Sequence, residues 1–169
     1  MVSVIIHANE DIDPLAETLA MLVSGSVFGL ISEVILWSEN HSNVLQTVAN
    51  DTGCRYLPKS TLGDAIMAAK STWLLFLTPG ARLLDQWREI LSRYVEKETN
   101  PARFRSVDLS KTSLLPKFFK KTRLMECGLV VLKEKLIDNV DNETALKKAI
   151  NSLRPVVLPI QISVPTKQK

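Results

Sequence analysis

Several things are scarce in this chain, and each scarcity closes off a class of protein. Six glycines and eight prolines in 169 residues, beside 46% hydrophobic and 23% charged residues, exclude a largely disordered polymer and describe a chain able to bury a core. Cysteine occurs twice, as Cys54 and Cys127. That is too few and too far apart for a disulfide scaffold or a metal knuckle, so two buried thiols are expected. No apolar run approaches the roughly 20 residues that cross a bilayer. The opening "MVSVIIHANED" has neither the basic start nor the cleavage site of a secretion signal, so a cytoplasmic protein is expected. Most pointed is a local lack: between Lys70 and Asp85 there is no carboxylate at all.

The formal net charge of +3 hides an asymmetry. Residues 1–100 carry seven Lys/Arg against twelve Asp/Glu, whereas residues 101–169 carry fourteen against six. The later part is therefore the place to look for an anion.

The length fits one domain. Through residue 100, short apolar runs alternate with helix-period segments, the pattern of βαβ units building a parallel sheet. "VSVII" reads as the first strand. Asp13 and Pro14 read as the cap and first turn of a helix with Leu15, Leu19, Leu22 and Val23 inward, ending near Gly25. "EVILW" is a second strand, and "VLQTVANDT" a helix stopped by Gly53. "CRYL" is a third strand, and Thr61 opens a helix through Lys70. "WLLFL", apolar on both faces, suits a central parallel strand, and Asp85 begins a helix to about Glu98. Beyond Pro101 the alternation stops. "RFRSVDLS" reads as an edge strand, "LLPKFFKKTRL" as a basic amphipathic segment, and "CGLVVL" as a strand. "ETALKKAINSL" is a helix and "PVVLPIQISV" a last strand interrupted by Pro159. The fold expected is a three-layer α/β/α domain with a mostly parallel sheet and an antiparallel strand or two added late.

With these segments placed, three stretches resemble family 2 glycosyltransferases. "VSVIIHANED" resembles that family's opening strand and its Pro-Thr-x-Asn-Glu sequel, with Asn9 and Glu10 matching. "EVILWSENHSN" resembles the second strand and its Asp-Asp-Gly-Ser turn, and "WLLFLTPGARL" the strand that ends in the Asp-x-Asp metal motif. The resemblance covers residues 2–92 in order. Beyond residue 100 it thins to "CGLVVLKEKL" and "NETALKKAI". It implies the GT-A, nucleotide-diphospho-sugar transferase fold over residues 1–165, with 1–100 the nucleotide-binding-like part, 101–165 a truncated acceptor-side part and 166–169 a loose tail. It also implies a nucleotide-sugar partner, held by Ala8, Asn9, Ser38, Glu39, Thr78, Gly80 and Arg82, with Glu143 as catalytic base.

The departures from the family pattern matter as much. Ser38 and Glu39 stand for the paired aspartates of the second motif. Thr78 and Gly80 stand where the two metal-binding acids belong, and Mg²⁺ or Mn²⁺ needs hard anionic oxygens. No divalent metal and no other cofactor is therefore expected. Arg82, or the cluster Lys120, Lys121 and Arg123, would have to meet the charge of a departing diphosphate.

Plainer explanations stand beside these. Thr78-Pro79-Gly80 reads first as an ordinary turn, Glu143 as an acid complementing a helix dipole, and His7 and His41 as structural or surface histidines. Phe118 and Phe119 among Lys117, Lys120, Lys121 and Arg123 suit either an amphipathic helix or an anionic lipid or lipid-phosphate partner at a membrane surface. No nucleic-acid-binding motif is present, so nucleic acid is not an expected partner. A non-catalytic binding module on the same fold is the competing expectation.

Overall fold

The computed structural model describes residues 1–84, 86–107 and 124–164. Strands β1 (Val2–His7), β2 (Ile31–Trp37), β3 (Arg55–Leu57) and β4 (Trp73–Leu77) alternate with helices α1 (Ile12–Val27), α2 (Asn43–Thr52) and α3 (Leu62–Ala68). A two-residue β5 (Arg82–Leu83), α4 (Trp87–Lys97), β6 (Ala102–Ser106), a 3₁₀ turn at Leu124–Cys127 and β7 (Val130–Leu132) follow. The described chain then closes with α5 (Glu134–Ile137), α6 (Glu143–Ser152) and β8 (Val156–Ser163).

The described strands form one sheet in the order β3-β2-β1-β4-β7-β6-β8-β5. β3, β2, β1 and β4 are parallel. β7 joins β4 antiparallel, β6 and β8 pair parallel, and β5 closes the far edge antiparallel to β8. The mostly parallel α/β sheet expected from the alternation of segments is the one found. It has a core on each face. Val4, Ile6, Leu36, Leu75 and Leu77 pack with Leu15 and Leu22 of α1, Leu45 of α2 and Trp87 and Leu91 of α4. Ile5, Ile35, Leu74 and Phe76 pack on the other side with Leu62 and Ile66 of α3, Leu136 of α5 and Leu146 and Ile150 of α6.

Local expectations held in part. Gly53 is left-handed at φ +70 and stops α2, as its position predicted. Helix α1 is instead N-capped by Asp11, with Asp13 inside the first turn, and it runs past Gly25 to Val27. Gly25 serves packing: a Cβ there would overlap the Trp87 ring and lie 2.7 Å from Ile31 Cδ1. Val23, expected inward, is 59% exposed. Helix α3 stops at Ala68, short of Lys70, where Lys133 donates its ammonium to the carbonyls of Met67 and Ala69 at 2.9 and 2.8 Å. The stretch expected as an edge strand lies inside the sheet, with β6 between β7 and β8. There Arg103 and Arg105 alternate with buried Ala102 and Phe104. Strand β8 continues through Pro159, the register slipping between the Arg103–Val157 and Arg105–Gln161 pairs so that no ladder hydrogen bond is asked of the proline. Asp85 as a helix start, the basic segment 114–123 and the tail lie outside the described residues.

Two stability tests follow from these contacts. Alanine normally improves a helix interior by about 1 kcal/mol over glycine. Gly25→Ala is expected to do the opposite, lowering stability by about 1–3 kcal/mol through overpacking against Trp87, measured as a reduced urea midpoint. Helix α3 opens with a reciprocal box: Thr61 N–H donates to Asp64 Oδ2 at 2.7 Å, and Asp64 N–H to Thr61 Oγ1 at 3.2 Å. The Thr61 amide first, then its hydroxyl, holds the Asp64 carboxyl below its ordinary value. A lowered folded pKa means stability present above the unfolded value and lost as pH falls through the folded one. The stability gap between the wild type and Asp64→Asn should therefore narrow on acidification from pH 7 to pH 3. It should be a fraction of a kcal/mol, since the carboxylate is solvent-screened.

Candidate functional site at the carboxyl end of the sheet

In an open parallel sheet the loops beyond the strands' carboxyl ends converge on one rim, and ligands bind there. Here β1, β2 and β4 end side by side. His7 pairs with Trp37 across β1 and β2, and Ile6 with Leu77 across β1 and β4, so Thr78 stands one step beyond that last rung beside His7. Strand alternation puts all three on the face of Ile5, Ile35 and Phe76. The His7 imidazole stacks on the Trp37 indole, ring centroids 4.1 Å apart and planes 17° from parallel. His7 is exposed while Trp37 is buried, so the histidine is the solvent-reached ring of a two-ring shelf. The Trp37 Nε1–H and the Thr78 Oγ1 are buried and have no hydrogen-bond partner among the described residues. Unpaired buried polar atoms of this kind are uncommon and call for an explanation.

The loop residues sort into those already committed and those free. Ala8 is buried, and its N–H donates to the Trp37 carbonyl at 2.9 Å. Asn9 is exposed. Ser38 is buried and spent on the loop itself: its N–H meets the Leu57 carbonyl at 3.2 Å, its carbonyl accepts from Ser60 N–H at 3.0 Å, and its hydroxyl donates to the Asn40 carbonyl at 2.5 Å. Glu39, by contrast, is exposed.

The turn after β4 is rigid. Ala81 N–H donates to the Thr78 carbonyl at 3.0 Å, with Gly80 at φ +81, as a Pro-Gly turn requires. Gly80 N–H then donates to the Pro14 carbonyl at 2.7 Å, and the fully buried Thr18 hydroxyl to the Ala81 carbonyl at 3.1 Å. Arg82 turns toward α1 and pairs with Glu17 at 2.7 Å, both side chains about half exposed.

Glu143 is the first residue of α6, where Asn142 supplies the cap by accepting from Ala145 N–H at 3.0 Å. Its exposed carboxylate pairs with Lys147 one turn on. The chain just before α6 touches the start of α3, since a Cβ on Gly63 would collide with the Val140 carbonyl. The N-terminus of α6 therefore lies toward the same rim, on the Trp37 face. His41 is an exposed loop residue. Burial pushes the Cys54 thiol up, against the opposing hydrogen bond from Thr52, the reverse of what a nucleophilic thiol needs. Two open grooves lie apart from the shelf. One, about 370 Å³, is lined by Ser32, Lys70 and Ser71 at the opposite end, and the other, about 350 Å³, lies between α4 and Pro159.

Sequence reasoning placed the rim loops and missed the shelf. Trp37 was visible as an aromatic at a strand end, but only the parallel register sets it under His7. Tyr56, whose hydroxyl reaches Ser38 at 2.8 Å, carried no signal in the sequence.

No family model matches the chain, and no curated protein matches it in sequence. Solved structures match its fold. Mannosyl-3-phosphoglycerate synthase from Rubrobacter xylanophilus superposes with a TM-score of 0.59 at 11% identity, over 99% of this chain and 68% of that one. Glucosyl-3-phosphoglycerate synthase from Mycobacterium tuberculosis, in complex with Mn²⁺ and UDP-glucose, gives 0.57 at 14%, over 100% and 71%. TarS 1–349 from S. aureus, in complex with UDP-GlcNAc, gives 0.61 at 11%, over 99% and 59%. The chain thus has the GT-A-like fold that the resemblance implied.

A neighbour holding Mn²⁺ raises the question of whether these residues fit a divalent cation, and at the β4 turn they do not. Thr78 offers a neutral hydroxyl, Gly80 offers an amide already given to Pro14, and no three His, Cys, Asp or Glu side chains cluster among the described residues.

The turn's anchorage can be checked directly. Thr18→Val keeps the shape and strands the Ala81 carbonyl, so it should cost about 1–3 kcal/mol in a urea titration. A change near zero would mean that the hydroxyl does not hold the turn.

Proposed function

We propose that this protein binds a nucleoside-diphosphate sugar at the carboxyl rim of the sheet and transfers its sugar to an acceptor hydroxyl, as a glycosyltransferase of the family 2 type. The observation that carries the proposal is the His7–Trp37 shelf. It offers an exposed aromatic ring to a nucleobase in the loop cluster where a parallel sheet binds nucleotides. Two GT-A-like neighbours in complex with UDP-glucose and UDP-GlcNAc support the same ligand class. Asn9 and Glu39 are the free polar groups on either side of the shelf, suited to the ribose and the base edge. Ala8, Ser38 and Gly80 shape the rim through their backbones, and Thr78, whose unpartnered hydroxyl is buried, would meet a phosphate or sugar oxygen only after the turn shifts.

In the transfer, the acceptor oxygen attacks the anomeric carbon while the bond from that carbon to the β-phosphate oxygen breaks. The nucleoside diphosphate leaves with the electron pair, and the acceptor proton passes to the Glu143 carboxylate, giving inversion. With no acids for a metal, the leaving charge falls to cations. Arg82 is the described candidate, once it exchanges Glu17 for a phosphate. Lys120, Lys121 and Arg123 are the others, and with Lys117 they are the segment proposed to meet an anionic lipid or lipid-phosphate acceptor. In this scheme the protein works in the cytoplasm, peripheral to the membrane.

A second function, a binding module without turnover, is favoured by one specific observation: Arg82 and Glu143 are each already neutralised by a neighbour on the chain.

Isothermal titration with UDP and then GDP, each with Mn²⁺ and with EDTA, tests the proposal. Binding that survives chelation and weakens about tenfold, roughly 1.4 kcal/mol, in His7→Ala and in Arg82→Ala is expected. Heat from neither nucleotide would end the nucleotide-sugar reading. Glu143→Gln should abolish sugar transfer with nucleotide affinity retained. Wild-type binding without turnover on any acceptor would favour the binding module.

A further inference from the structure

The loop between β2 and α2 is held by a directed chain of hydrogen bonds that ends on a side chain from the next strand. Ser42 N–H donates to the Tyr56 hydroxyl oxygen at 3.1 Å. Ser38 Oγ lies 2.8 Å from the same oxygen and donates onward to the Asn40 carbonyl at 2.5 Å. With the Ser38 proton given to Asn40, the Tyr56 proton is shared between Ser38 Oγ and the Asn40 carbonyl, so the links run from Ser42 N–H to the Tyr56 oxygen and from both hydroxyls toward Asn40 C=O. The 3.2 Å contact from Tyr56 to the Asn40 carbonyl closes the ring. Links that run in one direction polarise and strengthen one another. The Tyr56 ring packs against the core on the α1 side of the sheet, so its hydroxyl is a fixed post.

What the chain fixes is the residue in its middle. Ser38 and Asn40, the neighbours of Glu39 on both sides, are pinned, and Glu39 itself takes no part in the ring. Its carboxylate is left exposed at the rim, beside the shelf strand's end. We propose that Tyr56 is a positioning residue: its hydroxyl sets the shape of the 38–42 loop so that Glu39 is presented, pre-oriented, to the ribose or base of a bound nucleotide. This rests on the nucleotide-sugar reading for its ligand, though not for the clamp. Pre-orientation removes the ordering cost that a free loop would meet on binding.

The test has one arm without ligand and one with it. Tyr56→Phe keeps the ring and removes the hydroxyl. Amide hydrogen exchange at Ser42, whose N–H reports the clamp directly, should accelerate at least tenfold while the exchange of β1 and β4 is unchanged. Unaltered exchange at Ser42 would overturn the clamp. Should Tyr56→Phe fold poorly, Ser38→Ala breaks the middle link without touching the ring and should loosen Asn40 and Ser42 likewise. In the second arm, UDP is titrated into the wild type, Tyr56→Phe, Glu39→Gln and the double variant. Each single change should weaken binding roughly tenfold, and the double no further than Glu39→Gln alone. A role in stability alone would leave the affinity of the folded protein unmoved, and additive losses would show Tyr56 acting other than through Glu39. Either result overturns the positioning role. A wild type that binds neither UDP nor GDP removes the functional reading and the ligand half of this proposal together, leaving Ser42 exchange to decide the clamp.

Discussion

The structure depends first on β1 being buried on both faces and paired on both sides. Val2, Val4, Ile5 and Ile6 have essentially no exposed surface, and each contributes about 1.5–3 kcal/mol of apolar burial. A one-residue slip against β2 or β4 would send Val4 and Ile6 into the α3 face and Ile5 into the α1 face, exchanging two cores of different shape. That penalty fixes the register. The register in turn sets His7 against Trp37 and brings Thr78 level with both. The shelf at the rim is thus a by-product of how the strand must pack.

Around that rim, polar groups divide by what they can reach within the chain. Several on the loop backbones are spent: Ser38 and Gly80 are tied internally, and Thr18 takes the Ala81 carbonyl. Such ties make a rigid lip, which lowers the ordering cost of any ligand that fits it. Among the described residues, the groups left over include the His7 ring, Asn9, Glu39 and the buried Trp37 Nε1–H and Thr78 hydroxyl. A small set of unspent groups on a stiff frame is what a binding site needs, and their scarcity makes each of them consequential.

The frame is shared with mannosyl- and glucosyl-3-phosphoglycerate synthases and TarS at 11 to 14% identity, a level at which core pattern persists while site residues drift. Fold alone does not carry chemistry. The cationic and carboxylate groups that would carry it here, Arg82 and Glu143, each sit in a solvent-exposed ion pair. Such pairs are worth little and open readily. In the proposed transfer Glu17 would compete with a phosphate for Arg82 without blocking it, and Lys147 would screen Glu143 only weakly.

What the sequence by itself determined was whatever depends on neighbours along the chain. Apolar runs of strand length, helical periodicity, Gly53 as a stop and Pro79-Gly80 as a turn all follow from local sterics and burial, so the α/β alternation and the rim loops were legible. Tertiary structure decided what depends on partners distant in sequence. Gly25 looked like a helix end because its reason for being small is Trp87, sixty-two positions on and invisible to periodicity. β6 was read as an edge but lies between β7 and β8, where Phe104 is buried by core partners distant in sequence. The shelf needed the register between β1 and β2, and the clamp needed Tyr56 to meet Ser38 across β2 and β3. Hydrogen bonds and ring stacking act over a few ångströms in space, and only the closed sheet brings those residues within that range.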